Sequence, residues 1–400
     1  MAADLAALVR DPALDDDMAS FPPSPVTTID WNMKSPVVNE VNGHIEATFT
    51  KSTGKWSALK FITDPFIRVH GLAPGLNYGQ QALEGLKAFR TPNNESIILF
   101  RPDLNARRFQ HSAEVLSMPP VPEDVFIKAC RAAVALNAAY VPPHESGGGL
   151  YIRPLIFGSS AHYALTPPDE FKFCVYVIPT GVNDGTKLAK VLVLDDFDRS
   201  APRGSGHAKV GGNYAPVLRW SMKARSEGFD LTLHMDSARH REIDEFSTCA
   251  FLGVRHEHNG EPTTLVVPDS PCIINSVTSD TVQNLARSYG WTIDKRPVRY
   301  TELASFDEVL AAGTSVSLVP VMSITRQRQR WFEDLPDGDR VRIESGENLD
   351  KETVTYLDEG DTNGGDVYQK LFGHLRGLQR GTLDDEFGWR AEVRAEDCSI

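Results

Sequence analysis

Long apolar runs are missing from this chain: no stretch reaches the length needed to span a bilayer, and a membrane partner is not expected. Cysteine is scarce. The five cysteines, Cys130, Cys174, Cys249, Cys272 and Cys398, are odd in number, far apart and without a CxxC pair, a pattern that argues against a disulfide framework or zinc site and predicts reduced core thiols. Positive charge is also short. With 41 Lys and Arg against 54 Asp and Glu the net charge is -13, so nucleic acid, which draws its proteins through clustered cations, is not an expected partner. The opening MAADLAALVRDPALDDD is acidic and lacks the Arg- and Ser-rich character of a transit peptide, which makes the cytoplasm the expected compartment. No internal repeat or low-complexity tract is present. What is there, 400 residues at 41% apolar and 24% charged, fits a soluble globular protein of two domains that handles small molecules.

One stretch organises the rest: Gly204-Ser-Gly-His-Ala-Lys209-Val-Gly-Gly-Asn-Tyr214-Ala-Pro216. It sets a lysine between glycine pairs, ahead of a tyrosine and a proline suited to opening a helix, so a flexible amine sits on a loop that other groups can approach closely. A chain presents a Schiff-base lysine in this way; a solvated lysine on a turn has the same local sequence. Two nucleotide readings fail. Ala208 and Val210 stand where a P-loop needs glycine and Ser or Thr, and Lys209 takes the place of the third glycine of a dinucleotide fingerprint.

Residues 1–36, rich in Pro and Asp, read as an N-terminal arm, and 37–179 as a small domain. The small domain has a strand at Ala47 to Phe49, another beyond Gly85, where the backbone can be approached tightly, a turn at Pro92 to Asn94 and a strand from Ile97 to Phe100. Helices are predicted from Asn105 to Leu116, with Arg108 and His111 on one face, and from Glu123 to Ala139. In Leu150-Tyr151-Ile152-Arg153 the period of two puts Tyr151 and Arg153 together, as a substrate-anchoring pair or as a strand edge facing solvent. A strand from Phe171 to Ile178 leads to an interdomain loop at 180–188.

The larger domain, 189–400, opens with a strand at Val191 to Leu194 and the lysine loop. A helix from Pro216, carrying Val217, Leu218, Met222 and Ala224, ends at Gly228. Strands from Leu231 to His234 and from Ile243 to Leu252 form a hairpin. Glu245 inside the second needs a cation or hydrogen-bond donor, because an unpaired carboxylate is costly among apolar side chains. His256-Glu-His258 has metal-ligand spacing, yet Asn259-Gly260 behind it marks a hairpin turn. Thr278 or Ser279 caps a helix carrying Val282, Leu285, Ala286 and Tyr289, whose free N–H groups form an anion site. Gly313-Thr314-Ser315 precedes a strand from Val316 to Val319, and 331–365 is an acidic surface excursion. A helix from Val367 to Leu378 and the Trp389 region close the domain.

Taken in order, Tyr78 with Glu84-Gly85, Arg101-Pro102, Arg108, Tyr151-Ile-Arg153-Pro154, Lys209-Val-Gly-Gly-Asn-Tyr214, Glu245 with Thr248, Ser276-Val-Thr278 and Gly313-Thr314 form a set. The set resembles the branched-chain amino acid aminotransferases, fold-type IV enzymes dependent on pyridoxal 5′-phosphate, from about Leu76 onward. The resemblance implies an α/β (α+β) fold with a small N-terminal α/β domain and a larger C-terminal domain holding a barrel-like β-sheet. It implies Lys209 as the catalytic Schiff-base lysine, Glu245 on the pyridine nitrogen and Tyr214 on the phenolate oxygen. Arg108, Val277, Thr278 and Thr314 would hold the phosphate. Tyr78, Leu83, Tyr151, Arg153, Thr248, Ala250 and Ser315 would line the substrate pocket. The implied reaction moves the amino group of a hydrophobic or branched-chain L-amino acid to 2-oxoglutarate, in a homodimer whose active site borders the partner subunit.

Departures bear on the substrate. Leu83 stands where the family usually has phenylalanine, Ala250 where asparagine is usual, and His111 where some members carry a second arginine. Ser315 and Val316 replace the start of a redox CxxC segment, so no such switch is expected. A leucine for a pocket aromatic opens space for a larger or differently shaped amino acid. Rival readings are a D-amino acid or amine transaminase, a lyase, a specialised-pathway transaminase with a substrate outside the branched-chain group, and a cofactor-binding regulatory subunit without turnover.

Overall fold

Two β-sheets of nine strands each organise the computed structural model, which describes residues 21–32, 38–181, 187–258, 260–327 and 351–400. Most of the expected arm, the middle of the 180–188 loop, Asn259 and the greater part of the acidic excursion lie outside the described residues. The first sheet runs in the order Arg390–Val393, Ile97–Phe100, Leu86–Arg90, Gly149–Gly158, Glu170–Thr180, His44–Thr50, Lys55–Trp56. Lys60–Ile62 is added on His44–Thr50 and Gln81–Leu83 on Gly149–Gly158. Six α-helices accompany the sheets among the described residues: α1 (Pro74–Asn77), α2 (Pro102–Val115), α3 (Glu123–Ala135), α4 (Leu218–Ser226), α5 (Val277–Ser288) and α6 (Asp366–Arg380).

The period of two in Gly149–Gly158 decides what each face does. Leu150, Ile152 and Ile156 are buried with Phe109 of α2, Phe126 of α3 and Phe173, a packed aromatic core beneath the sheet. Tyr151 and Arg153 therefore point to the opposite face, towards the lysine loop.

The second sheet runs Ile243–Phe246, Leu231–Met235, Ala189–Leu194, Ser317–Gln327, Glu308–Gly313, Ala250–Arg255, Thr264–Pro268, Thr292–Arg296, with Lys351–Thr355 on Ser317–Gln327. Its parallel pairs need crossovers: α4 links Ala189–Leu194 to Leu231–Met235, and α5 links Thr264–Pro268 to Thr292–Arg296. Only Ser247 to Cys249 separate the edge strand Ile243–Phe246 from Ala250–Arg255, the sixth in order. A three-residue link cannot cross a flat sheet of that width, so the sheet curls back on itself into a barrel-like wall. Phe246, Phe251 and Phe306 fill its concave side, while Leu285 of α5 and Leu371, Leu375 and Leu378 of α6 cover the other.

Several expectations need correction. The single strand from Ile243 to Leu252 is two strands broken at Ser247 to Cys249, the bend that closes the wall. The cap of α5 is Ser276, whose Oγ accepts from Ser279 N at 3.2 Å; Thr278 and Ser279 lie inside the helix. Leu218 and Met222 of α4 are exposed, 63% and 68%, because Ala224, with Trp220 beside it, is the residue that packs on Leu192 and Leu194 of the sheet. The helices begin and end within a few residues of their expected bounds, α3 stopping at Ala135, and the strand after Thr314 is longer than expected, Ser317–Gln327. The chain after Trp389 forms Arg390–Val393, which pairs with Ile97–Phe100 and so completes the first sheet. His256 bonds Glu308 at 2.9 Å, and no group of metal-ligand side chains occurs among the described residues. Four of the five free cysteines are buried and Cys398 is exposed. No single helix among the described residues is long and apolar enough to cross a membrane.

Candidate active site

The lysine loop is gripped from both sides by the first sheet and its helix. Lys209 N donates to Ser112 Oγ of α2 at 2.9 Å, and Lys209 O accepts from Leu83 N at 3.0 Å. Buried Asn213 staples the loop to itself, its amide donating to Ser205 O at 2.7 Å and Ala208 O at 3.0 Å. Gly206 has no room for a side chain, since a Cβ there would collide with Ser200. With the backbone fixed at these points, Lys209 Nζ rests 2.9 Å from Tyr214 OH.

Glu245 lies on the edge strand of the curled sheet, 5% exposed. The partner that its burial demands is Arg199, at 2.7 Å, with a further bond from Ile274 N at 3.2 Å. Burial pushes the Glu245 carboxyl up, against the pull of Arg199, to about 7.

Arg108 Nε donates to Glu84 Oε1 at 2.6 Å and Arg108 Nη2 to Glu84 Oε2 at 2.9 Å, while Nη1 reaches Asn275 O at 2.9 Å. Burial would raise the Glu84 carboxyl, but the Arg108 guanidinium holds it below its usual range. Just beyond Asn275, α5 begins. Its first turn closes with Asp280 N on Ser276 O at 3.0 Å, which leaves the N–H groups of Val277 and Thr278 ahead of the intrahelical ladder. A cavity of about 360 Å³ lies among Arg108, Glu245, Ala250, Ile274, Ser276 and Val277. Thr278 and Thr314 line a smaller one of about 20 Å³ beside it.

The structure brings Tyr151 and Arg153 together on the sheet face above this cradle, Arg153 Nη2 donating to Tyr151 OH at 3.0 Å. Gly85 makes room for them, because a Cβ there would strike the Tyr151 hydroxyl. No carboxylate pairs with Arg153 among the described residues, and its Nε is buried without a partner. Ala250 pairs with Ala312 across the strands, so Thr248 and Thr314 leave their strands at the same end of the sheet, and Ser315 follows. Thr248 and Ser315 are exposed, as a rim would be. Tyr78 stands apart. It is 49% exposed and donates to Tyr163 O at 2.6 Å on an outer loop.

The residues fit the cofactor that the resemblance implies. A primary amine sits beside a phenol, a buried carboxyl is poised to share a proton with a ring nitrogen, and a helix start offers free N–H groups to a phosphate. Arg199, Lys87, Ser112 and the binding of Arg108 to Glu84 went unread. The cost of burying Glu245 announced that a partner exists; nothing in the local sequence of Arg199 identified it.

A sequence model of the amino-transferase class IV family matches residues 81–324. The chain is 46% identical over 373 residues to the aminotransferase poxL of Penicillium oxalicum, covering 93% of this chain and 95% of that one. It is 45% identical to the branched-chain amino acid aminotransferase gloG of Glarea lozoyensis, covering 92% and 97%. Among solved structures, the branched-chain amino acid aminotransferase of Escherichia coli superposes with a TM-score of 0.65 at 22% identity, over 84% of this chain and 97% of its own. The branched-chain amino acid aminotransferase of Thermobaculum terrenum, solved in its PLP form, does so with a TM-score of 0.66 at 19% identity, over 89% and 100%.

Proposed function

Because the chain belongs to the amino-transferase class IV family, we propose that it moves the α-amino group of a bulky hydrophobic L-amino acid to 2-oxoglutarate, as a fold-type IV transaminase using pyridoxal 5′-phosphate. The observation that carries this reading is the Lys209–Tyr214 contact at 2.9 Å, set beside a buried Glu245. The bound cofactor supplies an electron-withdrawing ring that stabilises negative charge at the substrate Cα. Lys209 Nζ would hold the cofactor covalently, with water leaving as that bond forms, and, once displaced by the substrate amine, would take the Cα proton. Tyr214 orients that amine through its hydroxyl. Glu245 holds a proton in common with the ring nitrogen, and its carboxyl, raised to about 7, suits that sharing. Arg108, Val277, Thr278 and Thr314 receive the phosphate.

The half-buried Arg153 guanidinium, bonded to the Tyr151 hydroxyl but to no carboxylate among the described residues and with its Nε free, supports a dicarboxylic acceptor. Donor choice rests on Leu83 and Ala250, both smaller than the residues the resemblance leads one to expect. Of the two relatives above, one is named for branched-chain amino acids and the other simply as an aminotransferase. A donor outside the leucine, isoleucine and valine group, used in a specialised pathway, therefore accounts for the site better than the branched-chain reading does. Exposed Leu72, Leu76, Tyr78, Tyr163 and Leu165 form an apolar face on the outer loops, which supports a homodimer in which Tyr78 of each subunit reaches the other's substrate pocket.

The test is a visible absorption spectrum of the purified chain with pyridoxal phosphate, followed as single L- and D-amino acids are added. Loss of the band with L-amino acids larger than leucine, faster than with leucine or valine, supports the reading. Discharge by D-amino acids or simple amines alone would sink it.

A further inference from the structure

Lys87 takes no part in the reading above. It lies on Leu86–Arg90, 8% exposed, and its Nζ donates to Ser315 O at 2.7 Å. Among the described residues no carboxylate pairs with it. An ammonium withdrawn from water without a counter-charge is strongly disfavoured, and burial, aided by the positive charge of Arg376 on α6, draws this amine down to about 7. A protein has little reason to keep such a group unless an anion arrives to meet it.

What surrounds Lys87 indicates where that anion would be. The small cavity at its side is lined by Asn105 of α2, Thr278 and Thr281 of α5, Thr314, and Gln379 of α6. Its volume, about 20 Å³, admits about one water. Gln379 Oε1 is buried beside it with no partner, so the cavity has a polar wall still to be satisfied. Thr278 and Thr314 are the threonines assigned to the cofactor phosphate. Arg108, assigned to the same phosphate, already gives two of its nitrogens to Glu84 at 2.6 and 2.9 Å, so its charge is largely balanced before any phosphate binds.

We propose that Lys87 is a second, hidden counter-charge for the cofactor phosphate, standing behind Thr278 and Thr314 at the distance of one water and fixing the Thr314–Ser315 turn through Ser315 O. It does not touch the reacting atoms and is a positioning and binding residue. The inference rests on the cofactor reading above. Arrival of a dianion favours the charged amine, so binding carries a proton to Lys87. Phosphate affinity is then full below about pH 7 and falls as pH rises through the bound-state value. The charged and titratable groups facing Lys87 are Arg376 of α6, Arg101 at the Thr281 hydroxyl, the Glu84–Arg108 pair and Tyr151 across the strand. The phosphate itself is already dianionic above about pH 6, so the window from pH 7 to 9 reports on the protein.

The experiment measures dissociation constants of pyridoxamine 5′-phosphate and of pyridoxamine, which lacks the phosphate, for the full chain, K87M and K87R, at pH 7 and pH 9. The expected result is that K87M weakens the phosphate-bearing ligand by about tenfold or more, leaves pyridoxamine within about twofold and loses the part of the wild-type pH slope that pyridoxamine, which reports Glu245 alone, does not share. K87R restores affinity for pyridoxamine 5′-phosphate but, being charged throughout, not that part of the slope. Equal losses for both ligands in K87M would reduce Lys87 to a support of the Ser315 turn and overturn the proposal. So would unchanged phosphate affinity, or a pH slope beyond that of pyridoxamine that survives in K87R; that variant keeps the test available if K87M does not fold. Failure of pyridoxamine 5′-phosphate to bind the wild-type chain at all would instead sink the cofactor reading.

Discussion

Arg199 and Glu245 lie 2.7 Å apart, both almost out of solvent, and hold between them the acid–base character of the cavity floor. Arg199 lies in the turn that precedes the lysine loop, and Glu245 on the edge of the curled sheet. The pair thus ties the loop to the wall at the point where a ring nitrogen would arrive.

Glu245 has a pH signature. Its folded value, about 7, lies above the ordinary 4.5, so its contribution to stability is full below about pH 4.5 and is lost as pH rises through 7. The cofactor-free protein is expected to lose on the order of 1–3 kcal/mol from this group between pH 5 and pH 8. Glu245→Gln flattens that fall, and thermal unfolding of both proteins at the two pH values measures it.

Lys209→Ala is expected to abolish the visible band formed with pyridoxal phosphate and to lower transamination by at least about 10²- to 10⁴-fold. Tyr214→Phe keeps the band, because the amine is intact, and lowers kcat by about tenfold through the lost hydroxyl contact. Spectra and steady-state rates of the two variants separate attachment from orientation.

Gly85→Ala forces a methyl group against the Tyr151 hydroxyl and, through it, displaces Arg153. KM for 2-oxoglutarate should rise about tenfold while that for the hydrophobic donor changes much less. An equal rise for both substrates would show general damage and not the displacement of one anchor.

Leu83→Phe restores bulk at the pocket position whose backbone also holds Lys209. Discrimination between large donors and leucine should move by about 1–3 kcal/mol towards the smaller substrate. Competition assays with paired amino acids read this directly, and an unaltered ranking would remove Leu83 from the specificity argument.

The lysine loop, the Tyr151–Arg153 face and the start of α5 could all be read from the sequence, because each is a short motif whose meaning lies in its own spacing. Glu245 was half legible: the energetic cost of its burial required a partner, yet Arg199 is 46 residues away and joined to it only by the curl of the sheet. The bond from Lys87 to Ser315 spans 228 positions in the chain, and no local period records it. Leu218 and Met222 misled for the opposite reason. Their helical spacing is real, but the stripe faces outward, and spacing alone does not say which side of a helix meets the sheet. The joining of Arg390–Val393 to Ile97–Phe100 is likewise a fact of topology.

That joining has a consequence for how the molecule is made. Ile97–Phe100 leaves the ribosome well before its outer neighbour, Arg390–Val393, is made. At about 5–20 residues per second, the interval from Phe100 to Arg390 lasts on the order of 15 to 60 s, during which a hydrophobic strand waits with one edge unpaired. Until Arg390–Val393 follows, that edge of the first sheet is open to pairing with any other strand, and loss of Arg390–Val393 would leave it so.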